Sequence, residues 1–521
     1  MPGAIATPHE LATRAGHEAF AGGGNAIDAA LAAAAMLTVV FPHQCALGGD
    51  LFALIGGPDG KAVSVNGSGA LPAAVDVEEY RSRFSEVPGS GPHSITVPGL
   101  LGGWARIVEL GGSMELAEVV APAIRAAADG VTVSRSLAAG IRWRHEVLLQ
   151  DEGISDLFVP NGRPLREGDI LNQPALQVSL ETIAAEGVSS FYAGSVGESM
   201  VTTLQDRGSP LTMDDLAAHR TEVNDPLGLD HGDHRLMTSP PNSQGFMLLE
   251  SIAAMAGLGM ELDASGGHAP YKLHAAMLAS EDRDRYLGDP DRVSVPLSSL
   301  LDEAVIGSRL RERLLRMQPV LELHRRTAAR GDTVAICAMD GDGMAVSLIQ
   351  SLYQTFGSGI LDPVTGIIVH NRARGFSLAR GAANELIPGT RPAHTLMPLL
   401  AYRDGRPHAS LGTMGGRAQA QILLQIVAGA LDPTMPLAET LAAPRWVFGG
   451  NDLGFDYPMI AIEADAASEL DEELQTDGFK VERVASQNEN MGHANAVRVR
   501  ADGGFEAAAD SRSDGLALVH G

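Results

Sequence analysis

The segment that decides the fold is TVAICAMDGDGMAVSLIQSL, residues 333–352. Its first part, Thr333–Met339, is apolar and rich in residues that favour strands, and so is its last part, Met344–Leu352. Between them, Asp-Gly-Asp-Gly is a strong turn signal. The pattern predicts a β-hairpin. The preceding stretch, Arg311–Arg330, is rich in arginine and lacks aromatic residues, which indicates an exposed linker ending at Gly331-Asp332.

A hydroxyl residue therefore opens a strand directly behind a linker that could be cut. If the bond between Asp332 and Thr333 were broken, Thr333 would carry a free α-amine with a pKa of ~7.7–8. That amine is a general base for the hydroxyl of the same residue, which is the chemistry of an N-terminal threonine nucleophile. Threonine also opens many ordinary strands. The hairpin by itself leaves both interpretations open.

Outward from the hairpin, the N-terminal third predicts alternating helix and strand. One helix begins with Thr7 as its cap and Pro8 as its first residue, and it ends at Gly22–Gly24. An alanine-rich helix follows Asn25, and its lack of charge predicts burial on most faces. Leu51–Ile55 is a predicted strand.

The rest of the chain divides at the linker. Residues 94–330 are predicted to be mostly helical, with loops at 161–169 and 239–244. Gly366–His370 is a predicted strand beyond the hairpin. Strand-like and helical segments continue to the C-terminus. The pattern predicts an α+β or α/β layered architecture.

Composition and charge narrow the class of protein. Hydrophobic residues make up 45% of the 521, so a large core can form, and the formal charge of −26 argues against nucleic acid or an anionic membrane surface as the partner. Two cysteines, Cys45 and Cys337, exclude a disulfide framework and a zinc site of three or four thiolates, and both are expected to be buried. The apolar run Ala29–Phe41 is too short to span a membrane, and no signal-peptide pattern is present. The expectation is a cytoplasmic soluble protein.

The sequence lacks the motifs of several common classes of nucleotide-binding protein and hydrolase. The sequence contains no phosphate-binding loop, no complete dinucleotide fingerprint, no H-E-x-x-H and no G-x-S-x-G. His231 and His234 lie in a Gly/Asp-rich turn and favour a surface loop over a metal site. Trp104 and Trp143 are expected in the core. No cofactor and no metal are expected.

Six segments of the sequence resemble the γ-glutamyltransferase family of N-terminal-nucleophile hydrolases, and they occur in the same order as in that family. The hairpin and the G-x-x-G-G element are the specific parts of the resemblance, which covers nearly the whole chain. The segments are Gly23–Ile55, Ser94–Trp104, Asp332–Ile360, Gly366–Asn371, Arg391–Pro398 and Gly412–Gly416.

The resemblance implies an α+β fold, a four-layer αββα sandwich made by a proenzyme that cuts itself. The cut would fall between Asp332 and Thr333, giving a large fragment, 1–332, and a small fragment, 333–521, that together form one composite domain. The partner of each fragment is then the other fragment, as a processed heterodimer or a dimer of such heterodimers.

The resemblance also assigns the catalytic residues. Thr333 takes the place of the nucleophile and Ser351 that of a second hydroxyl that bonds to it and assists processing. Gly415 and Gly416 take the place of the pair whose N–H groups form the oxyanion hole, since glycine lets the backbone approach the developing charge. Without the resemblance, the glycine pair would be an ordinary tight turn.

The departures from the family lie in the substrate pocket. Positions that bind the glutamyl group of the substrate in the family carry other residue types here. The asparagine that directly precedes Arg372 is kept. The matching residues are Ser68, Tyr353, Asn371, Arg372, Gly375, His394 and Thr395.

Arg372 inverts the charge that the family presents to the substrate ammonium group. A guanidinium beside His394 and Thr395 favours a small carboxylate or α-keto acid amide, as in the branch of the family that contains oxamate amidohydrolase. Alternatives are a hydrolase that removes an oxalyl unit by C–C cleavage in 4-alkylproline synthesis, a true γ-glutamyl transferase, and a non-catalytic binding protein that never matures. Arg372 itself could instead be a solvated or salt-bridged surface arginine.

Overall fold

The structure, a computed structural model, describes residues 1–263, 268–316, 332–449, 459–476 and 480–521. Within these ranges the strands are Gly3–Thr7 (β1), Asp50–Gly56 (β2), Ala62–Gly67 (β3), Val131–Thr132 (β4), Ile170–Leu171 (β5), Glu222–Asn224 (β6), Leu227–His231 (β7), His234–Thr238 (β8), Asp332–Asp340 (β9), Ala345–Tyr353 (β10), Leu361–Asp362 (β11), Ile367–Ile368 (β12), Leu399–Arg403 (β13), Arg406–Thr413 (β14), Trp446–Gly449 (β15), Met459–Glu463 (β16), Val481–Val484 (β17), Ala494–Val499 (β18), Phe505–Ala509 (β19) and Leu516–His520 (β20).

The helices of the same ranges are Glu10–Ala21 (α1), Ala26–Val40 (α2), Val77–Arg83 (α3), Leu100–Glu109 (α4), Leu116–Asp129 (α5), Arg135–Trp143 (α6), His145–Leu148 (α7), Glu152–Phe158 (α8), Pro174–Glu186 (α9), Ser189–Tyr192 (α10), Ser195–Asp206 (α11), Met213–Ala218 (α12), Phe246–Ala256 (α13), Ala269–Tyr286 (α14), Leu297–Leu300 (α15), Glu303–Arg316 (α16), Gln419–Leu431 (α17), Leu437–Ala442 (α18) and Ser468–Thr476 (α19).

Two antiparallel sheets form the framework. The first has the strand order β20-β1-β9-β10-β2-β3-β6, and the second has the order β19-β18-β14-β13-β8-β7. The predicted hairpin, β9 with β10, is confirmed and lies in the middle of the first sheet. A central hairpin has neighbours on both edges, so its strands are fixed in register from both sides.

A helix packs on one side of the hairpin and the second sheet packs on the other. Helix α2 is buried along its whole length, as its sequence predicts, and it contacts β9 and β10. On the other side, β14 contacts both strands of the hairpin, and α17 contacts β14. Side chains of both sheets share one apolar cluster that includes Ala4, Leu54, Cys337, Met339, Leu400, Tyr402 and Val497. The mixed class of helices and strands is confirmed.

Helix α1 starts later than its sequence pattern predicts. Its cap is His9, whose Nδ1 accepts a hydrogen bond from the N–H of Leu11 at 3.2 Å. Thr7 belongs instead to β1, whose pairing with β9 and β20 only the folded chain provides. The second helix has the predicted cap, because Asn25 and Asp28 form a reciprocal capping box.

The middle of the chain contains more strands than the pattern predicts. Strands β4 to β8 interrupt the region read as helical, and His231 and His234 face each other at the end of the β7–β8 hairpin. The predicted strand at Gly366–His370 shortens to β12. Of the predicted linker, residues 311–316 end helix α16, and residues 317–331 lie outside the described ranges.

Side-chain burial agrees with most of the expectations. Cys45, Cys337 and Trp104 are buried. Burial raises the pKa of the Cys337 thiol to about 12, which keeps it protonated and unreactive. The core assignment of Trp143 is wrong, because this residue is 41% exposed at the end of α6. In the described part of the chain, no helix is both long and apolar enough to cross a membrane.

Candidate active site

The two hydroxyl residues of the hairpin meet across the ladder. The pairing of β9 with β10 shifts register between Gln350 and Tyr353, so Ser351 and Leu352 together lie opposite Thr333. The Thr333 hydroxyl donates to the Ser351 Oγ at 3.2 Å, and both side chains are buried. The register that places Gln350 opposite Val334 also brings Ser351 opposite Thr333, and Leu352 is the extra residue that the irregularity adds to β10.

A second donor fixes Ser351. The backbone N–H of Tyr353 donates to the Ser351 Oγ at 2.7 Å. Tyr353 itself has a φ of 76°, a left-handed conformation that is uncommon for a residue with a side chain. This conformation places its ring over the guanidinium of Arg372, with the Cζ 4.3 Å from the ring centroid. The hydroxyl pair and Arg372 therefore share Tyr353 as a common neighbour.

Arg372 is fully buried and faces a carboxylate. Its Nε lies 3.3 Å from the Oδ2 of Asp50, and its Nη1 donates to the Thr395 hydroxyl at 3.3 Å. Asp50 opens β2 and pairs in register with Ser351. A Cβ on the preceding Gly49 would lie 2.7 Å from the Ser351 carbonyl oxygen, so glycine permits this close approach of the two backbones. The interpretation of Arg372 as a surface residue is wrong.

Two histidines complete the surroundings of Asp50. The Nε2 of His394 is 3.1 Å from Oδ2 and that of His370 is 3.4 Å from Oδ1. The Nδ1 of each ring accepts a backbone N–H, from Leu396 and Arg372 respectively, so Nε2 carries the proton and points to the carboxylate. Both rings are therefore neutral donors.

The protonation states follow from burial and charge. Burial and the neighbouring Arg372 lower the pKa of His394 to about 3, and burial also lowers the pKa of His370. Burial alone would raise the pKa of Asp50, but His370, His394 and Arg372 together hold it well below its usual range. At neutral pH the cluster is an ionised Asp50 and a charged Arg372 with two neutral imidazoles. The charge inversion predicted from Arg372 is thus offset by Asp50.

The glycine pair lies at the Thr333 end of β9. Ser347 of β10 donates to the carbonyl of Leu411 in β14. The next residue of β14 is Gly412, and a Cβ there would contact Ala335, near the Thr333 end of β9, at 3.0 Å. Strand β14 therefore runs toward Thr333. Beyond the end of β14, Gly415 has a φ of 142° and Gly416 a φ of 54°. These are conformations that side chains disfavour, and they turn the backbone sharply at this point.

Gln244 connects the glycine pair to the buried charges. Its Nε2 donates to the carbonyls of Gly416 at 2.9 Å and Thr395 at 3.0 Å. Its Oε1 accepts from Nε of the buried Arg283 at 3.0 Å. Since Thr395 also contacts Arg372, these contacts join residues 244, 333, 351, 353, 372, 395 and 416 into one connected network.

A cavity of about 250 Å³ adjoins this network. Its wall includes Tyr353 and Gly375, and also Arg417, which follows the glycine pair. Arg283 and Arg374 line it as well. Two carboxylates also line the cavity: Asp284 pairs with Arg283 and Arg417, and Glu86 pairs with Arg374. Three guanidinium groups and two carboxylates give the cavity wall a net positive charge.

Two of the predicted pocket residues have other surroundings. The Ser68 hydroxyl is buried and donates to Asn66 at 2.7 Å. Asn371 is buried and donates to the carbonyl of Gly89 at 2.7 Å and to the side chain of Gln354. Neither residue lines the cavity, and the buried Arg372, His394 and Thr395 do not line it either. Of the predicted pocket residues, Tyr353 and Gly375 line it.

Asp50, His370, Gln244 and the three cavity arginines were not singled out from the sequence. The available signal for Asp50 is a charged residue opening the apolar strand Leu51–Ile55 behind two glycines. Arg283 lies on helix α14 and Gln244 precedes α13, and neither has a local motif. Only the folded chain brings them to the hairpin.

The fold and the paired hydroxyls of its central hairpin are those of an N-terminal-nucleophile hydrolase. The chain belongs to the γ-glutamyltransferase family, because the family model described as gamma-glutamyltranspeptidase matches residues 12–520. It is accordingly an enzyme of the amidohydrolase and acyltransferase type. The family resemblance found in the sequence is confirmed.

Known proteins are similar over nearly the full length. The chain is 35% identical over 519 residues to the glutathione hydrolase-like YwrD proenzyme of Bacillus subtilis, covering 99% of this chain and 98% of that protein. It is 33% identical over 531 residues to the oxamate amidohydrolase proenzyme of Klebsiella pneumoniae, with the same coverage. The crystal structure of cephalosporin acylase from Bacillus halodurans superposes with a TM-score of 0.88 at 31% identity, covering 99% of this chain and 95% of that one.

Proposed function

We propose that the chain is a proenzyme that cleaves itself between Asp332 and Thr333. The mature enzyme then hydrolyses or transfers the acyl group of a small amide whose scissile carbonyl bears a carboxylate. The observation that carries this proposal is the buried contact of the Thr333 and Ser351 hydroxyls, 3.2 Å apart, beside an arginine-lined cavity.

Self-cleavage would begin at the Thr333 hydroxyl. Its Oγ1 attacks the carbonyl carbon of Asp332, the peptide C–N bond breaks, and an ester links the two residues while the amine of Thr333 is set free. Water then hydrolyses the ester. The fragments 1–332 and 333–521 remain together, because the new terminus lies in the middle strands of a shared sheet. We further propose that these fragments form one composite domain, with the layer order helix, sheet, sheet, helix.

Turnover would repeat the same chemistry on a substrate. The free α-amine takes the proton of the Thr333 hydroxyl, Oγ1 attacks the substrate carbonyl, and the N–H groups of Gly415 and Gly416 stabilise the oxyanion. The α-amine passes this proton to the substrate nitrogen, the C–N bond breaks, the substrate's ammonia or amine leaves, and an acyl ester remains on Thr333. Water or an amine then releases the acyl group. Ser351 orients the hydroxyl during both reactions, as its hydrogen bond to Thr333 supports.

The charges of the site support an anionic substrate. Arginines outnumber carboxylates around the cavity, and burial with the neighbouring Arg417 lowers the pKa of Arg283 only to about 10, so it stays charged. In addition, Nη2 of the buried Arg372 has no hydrogen-bond partner among the described residues. A buried donor of this kind gains when a carboxylate accepts from it. The ammonium group of a γ-glutamyl substrate would meet repulsion instead.

Substrate comparison tests the proposed class. Purified enzyme is supplied separately with oxamate, with a γ-glutamyl anilide and with an oxalylated proline precursor, and product release is followed by mass spectrometry. We expect turnover of oxamate. Preferential turnover of the anilide would establish a γ-glutamyl enzyme, and turnover of the proline precursor would establish a C–C hydrolase; either result would contradict the proposal.

Replacing Arg372 separates substrate binding from self-cleavage. We expect Arg372→Gln to lower kcat/KM for oxamate by about 10- to 100-fold, the loss of one hydrogen bond to a charged group, with a smaller effect on the rate of self-cleavage. Both rates are measured on protein shown to be folded, because the variant also leaves the buried Asp50 carboxylate without its charged partner. The matched control is Arg380→Gln, which removes an exposed arginine paired with Glu78 and should leave both rates unchanged. Equal losses of both rates in the Arg372 variant would show that this residue is structural.

A further inference from the structure

A second cavity lies beside the catalytic hairpin. It measures about 30 Å³, and we call it the histidine chamber, after the two rings in its wall; it is lined by His43, Gln44, Thr355, Met414 and His493 among others. A water molecule needs at least about 10–15 Å³ of such space. The chamber therefore has room for one or two waters and for nothing much larger.

The wall of the histidine chamber carries polar atoms that the protein leaves unsatisfied. Both ring nitrogens of His43, both of His493 and the Oε1 of Gln44 are buried without a hydrogen-bond partner among the described residues. Each of these residues is at most 3% exposed. An unsatisfied buried polar group costs about 1–3 kcal/mol, so five such atoms around one cavity indicate a site built for a ligand that hydrogen-bonds.

The chemistry of the wall selects a neutral ligand. Burial lowers the pKa of His43 to about 3 and that of His493 to about 4, so both rings are uncharged at neutral pH. A neutral imidazole offers one donor and one acceptor, and Gln44 adds an acceptor. Water, which both donates and accepts, matches this set, since a bound water makes two to four hydrogen bonds.

The backbone of the histidine chamber holds both catalytic segments. The carbonyl of Gln44 accepts from the N–H of Leu352 at 2.9 Å, next to Ser351. The carbonyl of His493 accepts from the N–H of Met414 at 3.1 Å, next to Gly415. The chamber is thus tied to the strand end that carries one hydroxyl and to the loop that carries the glycine pair.

The histidine chamber and the arginine-lined cavity lie on two sides of the same segments. Tyr353 and Arg417 border the arginine-lined cavity, whereas Thr355 and Met414 border the chamber, and the two sets of lining residues have no member in common. The segments 353–355 and 414–417 therefore separate the two spaces, and Thr333 lies at the hairpin end from which the first segment departs.

The outer end of the histidine chamber opens to the surface beside helix α6. Trp143 lines it and is 41% exposed, and the half-buried Ala139 lines it one turn earlier. This mouth gives the chamber an approach that does not pass through the arginine-lined cavity. A substrate in that cavity would leave the mouth open.

We propose that the histidine chamber binds the water that hydrolyses the acyl-Thr333 ester and admits it from the Trp143 side. The water oxygen bonds to the acyl carbonyl carbon, its proton passes to the α-amine of Thr333, the ester C–O bond breaks, and Oγ1 takes the proton back. The products are a free carboxylic acid and the regenerated hydroxyl. This inference rests on the proposed function and makes the enzyme a hydrolase by supplying its acceptor.

The test blocks the mouth and follows the acyl-enzyme. Ala139→Phe fills the outer end of the histidine chamber, and Arg142→Phe places the same ring on the exposed side of α6 as a control. Processed enzyme is mixed with the para-nitroanilide of oxalic acid, nitroaniline release reports acylation, and intact mass of the fragment 333–521 reports the ester. We expect acylation to be unchanged and ester loss to slow about tenfold in Ala139→Phe only, as a poorly supplied nucleophile reacts more slowly.

Each other outcome has a distinct meaning. Equal ester lifetimes in Ala139→Phe and the unaltered enzyme would overturn the role of the chamber while the proposed function stands. Absence of an acylated fragment in every protein, with no nitroaniline released, would overturn both. If Ala139→Phe does not fold, His493→Phe fills the histidine chamber from within without touching a side-chain hydrogen bond in the described structure, and the same readouts apply.

Discussion

The variant Thr333→Ala is expected to remain a single 54.4 kDa chain and to turn over no substrate. Alanine removes the Oγ1 that attacks the Asp332 carbonyl, so the ester that precedes cleavage cannot form. Without cleavage no α-amine is released, and without the hydroxyl no acyl group can be carried. Loss of a covalent nucleophile lowers turnover by about 10⁶-fold, which leaves no measurable activity.

Intact mass and N-terminal sequencing check this prediction. The unaltered chain should give two fragments, the smaller beginning with Thr333, and Thr333→Ala should give one chain even after long incubation. Thr333→Ser is the matched control, because it keeps the hydroxyl and loses only a methyl group, and it should still cleave. Two fragments from the alanine variant, or a blocked amine at position 333 in an active preparation, would place the nucleophile elsewhere.

The second large effect is expected at Asp50. Asp50→Asn keeps the shape of the side chain but removes the negative charge that faces Arg372, His370 and His394. It also turns an acceptor oxygen into an amide N–H₂ that points toward N–H donors. Removing one partner of a buried ion pair costs about 3–5 kcal/mol of folding free energy. Activity should be lost as well, since Asp50 pairs in register with Ser351.

Urea denaturation at two pH values measures this effect. The pKa of Asp50 lies below the ~3.9 of an unfolded chain, so its ionised form stabilises the folded state above about pH 4, and this contribution is lost as the pH falls toward the folded pKa. The difference between Asp50→Asn and the unaltered protein should therefore be largest at pH 7 and shrink below about pH 4.

The control for Asp50 is an exposed carboxylate. Asp59 lies 3.5 Å from Lys61 with both side chains largely exposed, and Asp59→Asn should change stability by less than about 1 kcal/mol at either pH. If Asp50→Asn behaved like Asp59→Asn, the carboxylate of Asp50 would not hold Arg372 in the way the structure indicates.

The fold could be predicted from the sequence where the local sequence pattern and the tertiary packing favour the same structure. The hairpin, the buried helix α2 and the capping box of Asn25 follow from composition, turn residues and period, and each is confirmed. Strand β1 was missed because Gly3–Thr7 is short and has no strand pattern, and it exists only as the partner of β9 and β20. Trp143 was misplaced because a large apolar residue is usually buried, whereas here it lies at the end of α6.

The candidate site divides in the same way. The local pattern of a strand that opens on a hydroxyl made Thr333 a candidate, and the family resemblance of the sequence then pointed to Thr333, Ser351 and the glycine pair. What only the tertiary structure decided is the electrostatic state around them. Asp50, 322 residues away from Arg372 along the chain, neutralises the guanidinium that the sequence presented as an unopposed charge. Partners so distant leave no local pattern, because burial and charge compensation depend on which strands become neighbours.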